Sequence, residues 1–165
     1  DQLYHGVGDH HAQAITKYAS LCAVASRTES SARTLADRYG VSDVYTDYRR
    51  MLDRDDIDAV TIATPSGMHA EMALAAVRAG KHVLVEKPID IALDKAVELV
   101  KEAETKGVKL AVAFHHRFGV ASEIRQRVMD GEIGTSTKQK MSPTRNAFPS
   151  KPMHLLAISE PPSRN

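Results

Sequence analysis

A single cysteine in 165 residues leaves no partner for an internal disulfide. Cys22 stands in an apolar run and reads as a small buried thiol of a reducing compartment, so the expected location is the cytoplasm. No apolar stretch approaches the length of a membrane span. No charged-then-apolar leader opens the chain, so secretion is not indicated. An excess of one charge is missing too: the net charge is +1, which argues against nucleic acid as a partner. Metal ligation is not expected. The pairs His10-His11 and His115-His116 have no HxxxH spacing or carboxylate companion, and neighbours on a strand point to opposite faces. No internal repeat at solenoid spacing is present.

What is present suits one globular domain: 42% hydrophobic and 26% charged residues. The near-neutral total hides an asymmetry. Residues 135–165 carry five Lys/Arg against one acid, Glu160, a net +4, which leaves about −3 for the rest. The same stretch holds five of the seven prolines. The expected organisation is therefore a folded domain over 1–134 and an irregular, basic, proline-rich tail over 135–165. The only compact apolar stretch in that tail is Met153–Ile158.

Within the first part, short apolar runs alternate with amphipathic segments. Leu21–Ala25, Val44-Tyr45, Ala59–Ala63, Val83–Val85 and Leu110–Phe114 read as strands. Between them lie helical patterns: about His11–Tyr18; Ala32, Leu35, Ala36 and Tyr39, stopped by Gly40; and a short helix through Leu52 capped by Asp47. Three more follow: Met68, Met72, Ala75, Ala76 and Ala79 closed by Gly80; Leu93, Val97, Val100 and Ala103 ending at Gly107; and Ile124 and Val128 ending at Gly131. Continuous apolar strands alternating with helices imply parallel pairing covered on both faces, with right-handed crossovers. The fold class is α/β, a doubly wound parallel sheet.

Chemistry is expected where strands hand over to loops. Gly6-Val7-Gly8 is a GxG without the third glycine or alanine of a phosphate-binding turn, and the segment before it is short and polar. Taken alone it is equally a turn before a helix. Strand Val83–Val85 runs straight into Glu86-Lys87-Pro88, and by itself this acid-base pair could be a surface ion pair.

The stretch IATPSGMHAEMALAAVRAGKHVLVEKP at 62–88 closely resembles the Gfo/Idh/MocA oxidoreductases, named for glucose-fructose oxidoreductase, inositol dehydrogenase and a rhizopine-catabolism protein. AVASRTESSARTLADRYG at 23–40, YTDYRRMLDRDDIDAV at 45–60, AVAFHHRF at 111–118 and GEIG at 131–134 extend the resemblance over about 10–137. It implies a Rossmann-type NAD(P)-binding domain that precedes a substrate domain with a mainly antiparallel sheet. The implied reaction is hydride transfer between the nicotinamide and a secondary alcohol carbon of a sugar or polyol, in a homo-oligomer.

Lys87 becomes the expected catalytic residue, stabilising charge on the substrate oxygen, with Pro88 fixing the backbone that aims it. Glu86 is expected to accept from ribose hydroxyls. Gly6, Gly8, Ser26, Arg27, Thr64, Pro65, His69 and Arg117 are the further cofactor-binding candidates, although His69 is equally readable as a structural histidine. Ser26-Arg27 follows the second strand of the pattern, where an acid would repel a 2′-phosphate; arginine pairs with one, so the expected cofactor is NADP rather than NAD. After Gly134 nothing matches the family's substrate domain or its Asp and His, and His154 is a poor substitute. That domain is expected to be absent or truncated. The competing reading is a catalytically inactive nucleotide-binding fragment or an interaction module.

Overall fold

The computed structural model describes residues 6–115, 120–132 and 154–159. They divide into two units: residues 1–113 with 150–165, and residues 114–149. The second unit contains helix α6 (Val120–Met129), closed beyond its end by the Arg127–Glu132 ion pair at 2.9 Å.

The first unit is a six-stranded sheet. Its chain order is α1 (Val7–Ile15), β1 (Ser20–Ala25), α2 (Glu29–Tyr39), β2 (Asp43–Tyr45), α3 (Tyr48–Leu52), β3 (Ala59–Ala63), a 3₁₀ turn at Ser66–Met68, α4 (His69–Arg78), β4 (His82–Val85), α5 (Leu93–Lys106), β5 (Leu110–Val112) and β6 (His154–Ser159). Across the sheet the strands run β2-β1-β6-β3-β4-β5. The pairs β1–β2, β3–β4 and β4–β5 are parallel.

Local chemistry sets the helix ends as the sequence implies. The Asp47 side chain accepts from Arg49 N–H at 3.0 Å and caps α3. Gly40 and Gly107 close α2 and α5 at φ 69 and 67, a left-handed conformation that costs glycine little.

The central strand departs from expectation. Residues 154–159 were expected to be irregular and instead form β6, antiparallel to both neighbours: Val24 and Thr61 pair with Leu156, Ala23 and Val60 with Ala157. Leu156 and Ala157 are fully buried on opposite faces. Leu156 packs with Ala12, Val24 and Leu35 under α1 and α2, whereas Ala157 joins the larger core of Ile62, Met72, Val77, Val85 and Leu99 under α3, α4 and α5. A slot covered on both faces demands a continuous apolar run, and Leu155-Leu156-Ala157-Ile158 supplies it. The remainder of the tail lies outside the described residues.

Two smaller differences concern faces and bounds. Helix α1 begins four residues before the expected start. In α5 the sheet-facing residues are Leu99 and Ala103, while Leu93 is 80% exposed and Val97 and Val100 also face outward. The apolar periodicity located the helix but misjudged which side the sheet would take.

Candidate functional site

Parallel strands deliver their carboxyl ends to one edge, and there β1 continues into Ser26-Arg27, β2 into Thr46-Asp47, β3 into Thr64-Pro65 and β4 into Glu86-Lys87. The Ser26 N–H bonds the Tyr45 carbonyl at 3.0 Å, and Glu86 N–H bonds the Ile62 carbonyl at 3.0 Å, so each loop leaves from a pinned strand end. Helix α1 runs the other way. It ends just before the start of β1, so its N-cap Gly6 lies toward the same edge.

A cavity of about 320 Å³ opens among these loops, lined by Ser26, Arg27, Thr46, Asp47, Tyr48, Arg49, Thr64, Met68 and Met72. Its charged lining is two arginines against one aspartate. Arg49 lies over the Tyr48 ring at 4.7 Å and pairs with Asp47 at 3.9 Å, which leaves Arg27 exposed at the mouth. Two buried hydroxyls, Tyr48 Oη and Thr64 Oγ1, have no hydrogen-bond partner among the described residues. Burial pushes the Tyr48 hydroxyl up; Arg49 opposes, and Glu71 and Asp47 push further in the same direction, so it stays protonated and able to donate. Buried unpaired hydroxyls are costly, so each calls for a partner such as a water or a ligand.

The acid-base pair follows β4, the strand next to β3 in the sheet. Glu86 Oε1 accepts from His11 Nε2 at 3.0 Å, and Oε2 accepts from Lys87 N–H at 3.1 Å. The other His11 nitrogen, Nδ1, is 2.6 Å from the hydroxyl of Thr61, which is fully buried on β3. Glu86 is thus steered inward, with its remaining lone pairs left for a ligand. Lys87 is exposed, and its peptide to Pro88 is cis.

The other candidates fall differently. Gly6 is the N-cap of α1 and Gly8 is buried in its first turn, so both stand at a helix start, whose first N–H groups have no intrahelical partner. Pro65 is exposed and precedes the 3₁₀ turn. His69 is 1% exposed, with both ring nitrogens against backbone carbonyls, so it lies behind the cavity wall. Arg117 lies outside the described residues.

Three contributors were not anticipated. His11 was weighed only as half of a histidine pair; it sits on α1, where its position one residue before Ala12 and four before Ile15 turns it toward the sheet. Tyr48 and Arg49 gave no local signal, since only folding carries them across to Thr64.

A mostly parallel sheet flanked by helices, with a cationic cavity and free hydroxyls at its carboxyl edge, is the architecture of a dinucleotide-binding domain in an oxidoreductase. The residues present fit such a cofactor: Arg27 and Arg49 suit phosphate, and Tyr48 and Thr64 have hydroxyls to spend. The chain belongs to the Gfo/Idh/MocA oxidoreductase family with the NAD-binding Rossmann fold, whose model matches residues 4–114.

It is 38% identical over 112 residues to D-xylose 1-dehydrogenase (NADP(+)) 2 of Haloferax volcanii, covering 68% of this chain and 34% of that protein. The crystal structure of apo scyllo-inositol dehydrogenase from Lactobacillus casei is 31% identical with a TM-score of 0.71, covering 78% of this chain and 39% of that one. A 3-ketoreductase from Actinomadura kijaniata, in complex with TDP-benzene and NADP, is 35% identical with a TM-score of 0.61, covering 69% and 35%. The chain thus spans between a third and two fifths of the length of these relatives.

Proposed function

We propose that this chain is the cofactor-binding part of an NADP(H)-dependent dehydrogenase acting on a sugar or polyol. The observation that carries the reading is the cavity at the carboxyl edge of the sheet, with two arginines against one aspartate and the unpaired hydroxyls of Tyr48 and Thr64. Arg27 pairs with the 2′-phosphate, Ser26 adds a hydroxyl to it, and Tyr48 and Thr64 donate to the cofactor. A nicotinamide bound here supplies the hydride acceptor or donor.

Lys87 then acts on the substrate oxygen. Its ammonium stabilises the negative charge that grows there in the transition state. Glu86, steered by His11, accepts from a ribose hydroxyl and keeps a negative charge beside the lysine. Sugars and polyols are the favoured substrates because the matched relatives include a xylose and an inositol dehydrogenase. Substrate positioning and subunit contacts would come from the part of the family's length beyond this chain, and the working compartment is the cytoplasm.

Fluorescence titration with NADPH and NADH tests the reading. Saturable binding of NADPH, tighter than that of NADH, is expected. Absence of saturable binding of either nucleotide overturns it.

A further inference from the structure

Two sides of helix α5 are occupied within the first unit. Leu99 and Ala103 pack on the sheet. Glu98 and Glu102 reach Arg78 of α4 at 3.0 and 3.9 Å. The side away from α4 carries Leu93, Val97 and Val100, an i, i+4, i+7 apolar stripe that is 41% to 80% exposed. Helix α4 joins β3 to β4 and α5 joins β4 to β5, so this stripe flanks the β5 edge of the sheet.

Among the described residues β5 pairs with β4 alone. Val83 N–H bonds the Lys109 carbonyl and Ala113 N–H bonds the Val85 carbonyl, both at 2.8 Å. Residues 109, 111 and 113 therefore face β4, and alternation turns the N–H and C=O groups of Leu110 and Val112 to the open side. No charged residue stands between Leu110 and Ala113 to guard that side. The opposite edge differs: Asp43 of β2 is paired with Arg54. Charges of that kind keep an edge from pairing with another chain, and a bare apolar edge lacks this protection.

We propose that β5 pairs with β5 of a second copy, antiparallel about a twofold axis that passes through Ala111 perpendicular to the sheet. Leu110 of one copy and Val112 of the other then exchange N–H···O bonds on both sides of the axis. The small Ala111 side chains meet where antiparallel strands come closest. Such an axis keeps both α5 helices on one face of the joined sheet and makes them antiparallel. Strands lie about 4.8 Å apart, so helices centred between β4 and β5 stand about 10 Å from one another, the usual helix packing distance. The two stripes then cover each other. Asp94 and Lys101 are exposed on the flank of the stripe away from the sheet, so a pair centred near Val97 sets Asp94 of each copy against Lys101 of the other. Glu104 continues the stripe and falls opposite the start of the other α5, where the partial charge is positive. The pairing is independent of the cofactor reading, and of the subunit contacts proposed for the family's further length.

Sedimentation velocity of the 165-residue chain over a range of concentrations tests it. A reversible monomer–dimer equilibrium is expected, with no larger species, because a twofold contact uses up the edge in both copies. Val97→Lys places like charges against each other across the axis and should weaken dimerisation about a hundredfold or more. Asp94→Lys and Lys101→Asp should each weaken it about tenfold, and the double exchange should restore it. These two positions are exposed, so the exchange decides by itself should Val97→Lys fail to fold. Amide hydrogen exchange at Leu110 and Val112 should slow as concentration rises, while Ala111, which faces β4, keeps its rate. A monomer at every concentration overturns the proposal. So does a dimer that the double exchange fails to restore, or one that forms with exchange at Leu110 and Val112 unchanged.

Discussion

His11 Nε2 and Glu86 Oε1 stand 3.0 Å apart, joining helix α1 to the end of β4 across the sheet. With His11 Nδ1 at 2.6 Å from Thr61, one side chain links three elements at the base of the site. Removing it strands a buried hydroxyl and frees the carboxylate to swing. His11→Ala should cost about 1–3 kcal/mol, the usual penalty for a buried polar group left unpaired. Urea unfolding measures this, and a stability equal to wild type would show the link to be incidental.

Arg27 should decide between the two nucleotides. A charge-assisted pair with the 2′-phosphate is worth about 1.5–3 kcal/mol, roughly 10–100-fold in affinity. Arg27→Asp replaces attraction with repulsion and offers the free ribose hydroxyls an acceptor. Calorimetric titration should show the preference reversed; an unchanged NADPH to NADH ratio would remove Arg27 from the site.

Asp90 predicts a particular acid sensitivity. Its carboxyl is held below its ordinary value in the folded chain, so the folded state prefers the ionised form. That stability is fully present above the ordinary carboxylate value and is lost as pH falls from there through the lower folded value. Asp90→Ala should therefore destabilise the protein near neutral pH, with the deficit shrinking as pH drops through that window. A deficit that stays constant into strong acid would mean the loss comes from packing, not charge.

Strand β6 should behave as core. Leu156 is fully buried between two strands, and Leu156→Ala should cost about 2–5 kcal/mol. The amides of Leu155 to Ile158 should exchange with deuterium as slowly as those of Val60 to Ile62. Rapid exchange confined to β6 would show that the central slot is not held by this segment.

Turnover by the 165 residues alone should be slight. Lys87 can stabilise charge on an oxygen, but these residues span only between a third and two fifths of the length of their relatives. A missing general base alone typically lowers rates about 10²–10⁴-fold. A coupled assay over aldoses, polyols and nucleotide sugars, with Lys87→Ala as control, measures this. Ordinary dehydrogenase rates abolished in the control would make the chain a self-sufficient enzyme.

Much of this molecule is written locally. Apolar runs, helical spacing, the Asp47 cap and the Gly40 and Gly107 stops are short-range signals, each enforced by backbone geometry within a few residues. Those signals determined the strand-helix alternation, and the Thr64 and Glu86-Lys87 motifs marked one sheet edge. Tertiary structure decided the rest. An apolar four-residue run suits a buried strand of either direction, so only the slot between β1 and β3 made Leu155–Ile158 central and antiparallel. A helix stripe reports that one face is buried, not which; the sheet chose Leu99 and Ala103 over Val97. His11 and Glu86 are 75 positions apart, and His69 and Pro88 are 19 apart. Hydrogen bonds over such separations depend on where the sheet brings two elements together, which no local pattern encodes.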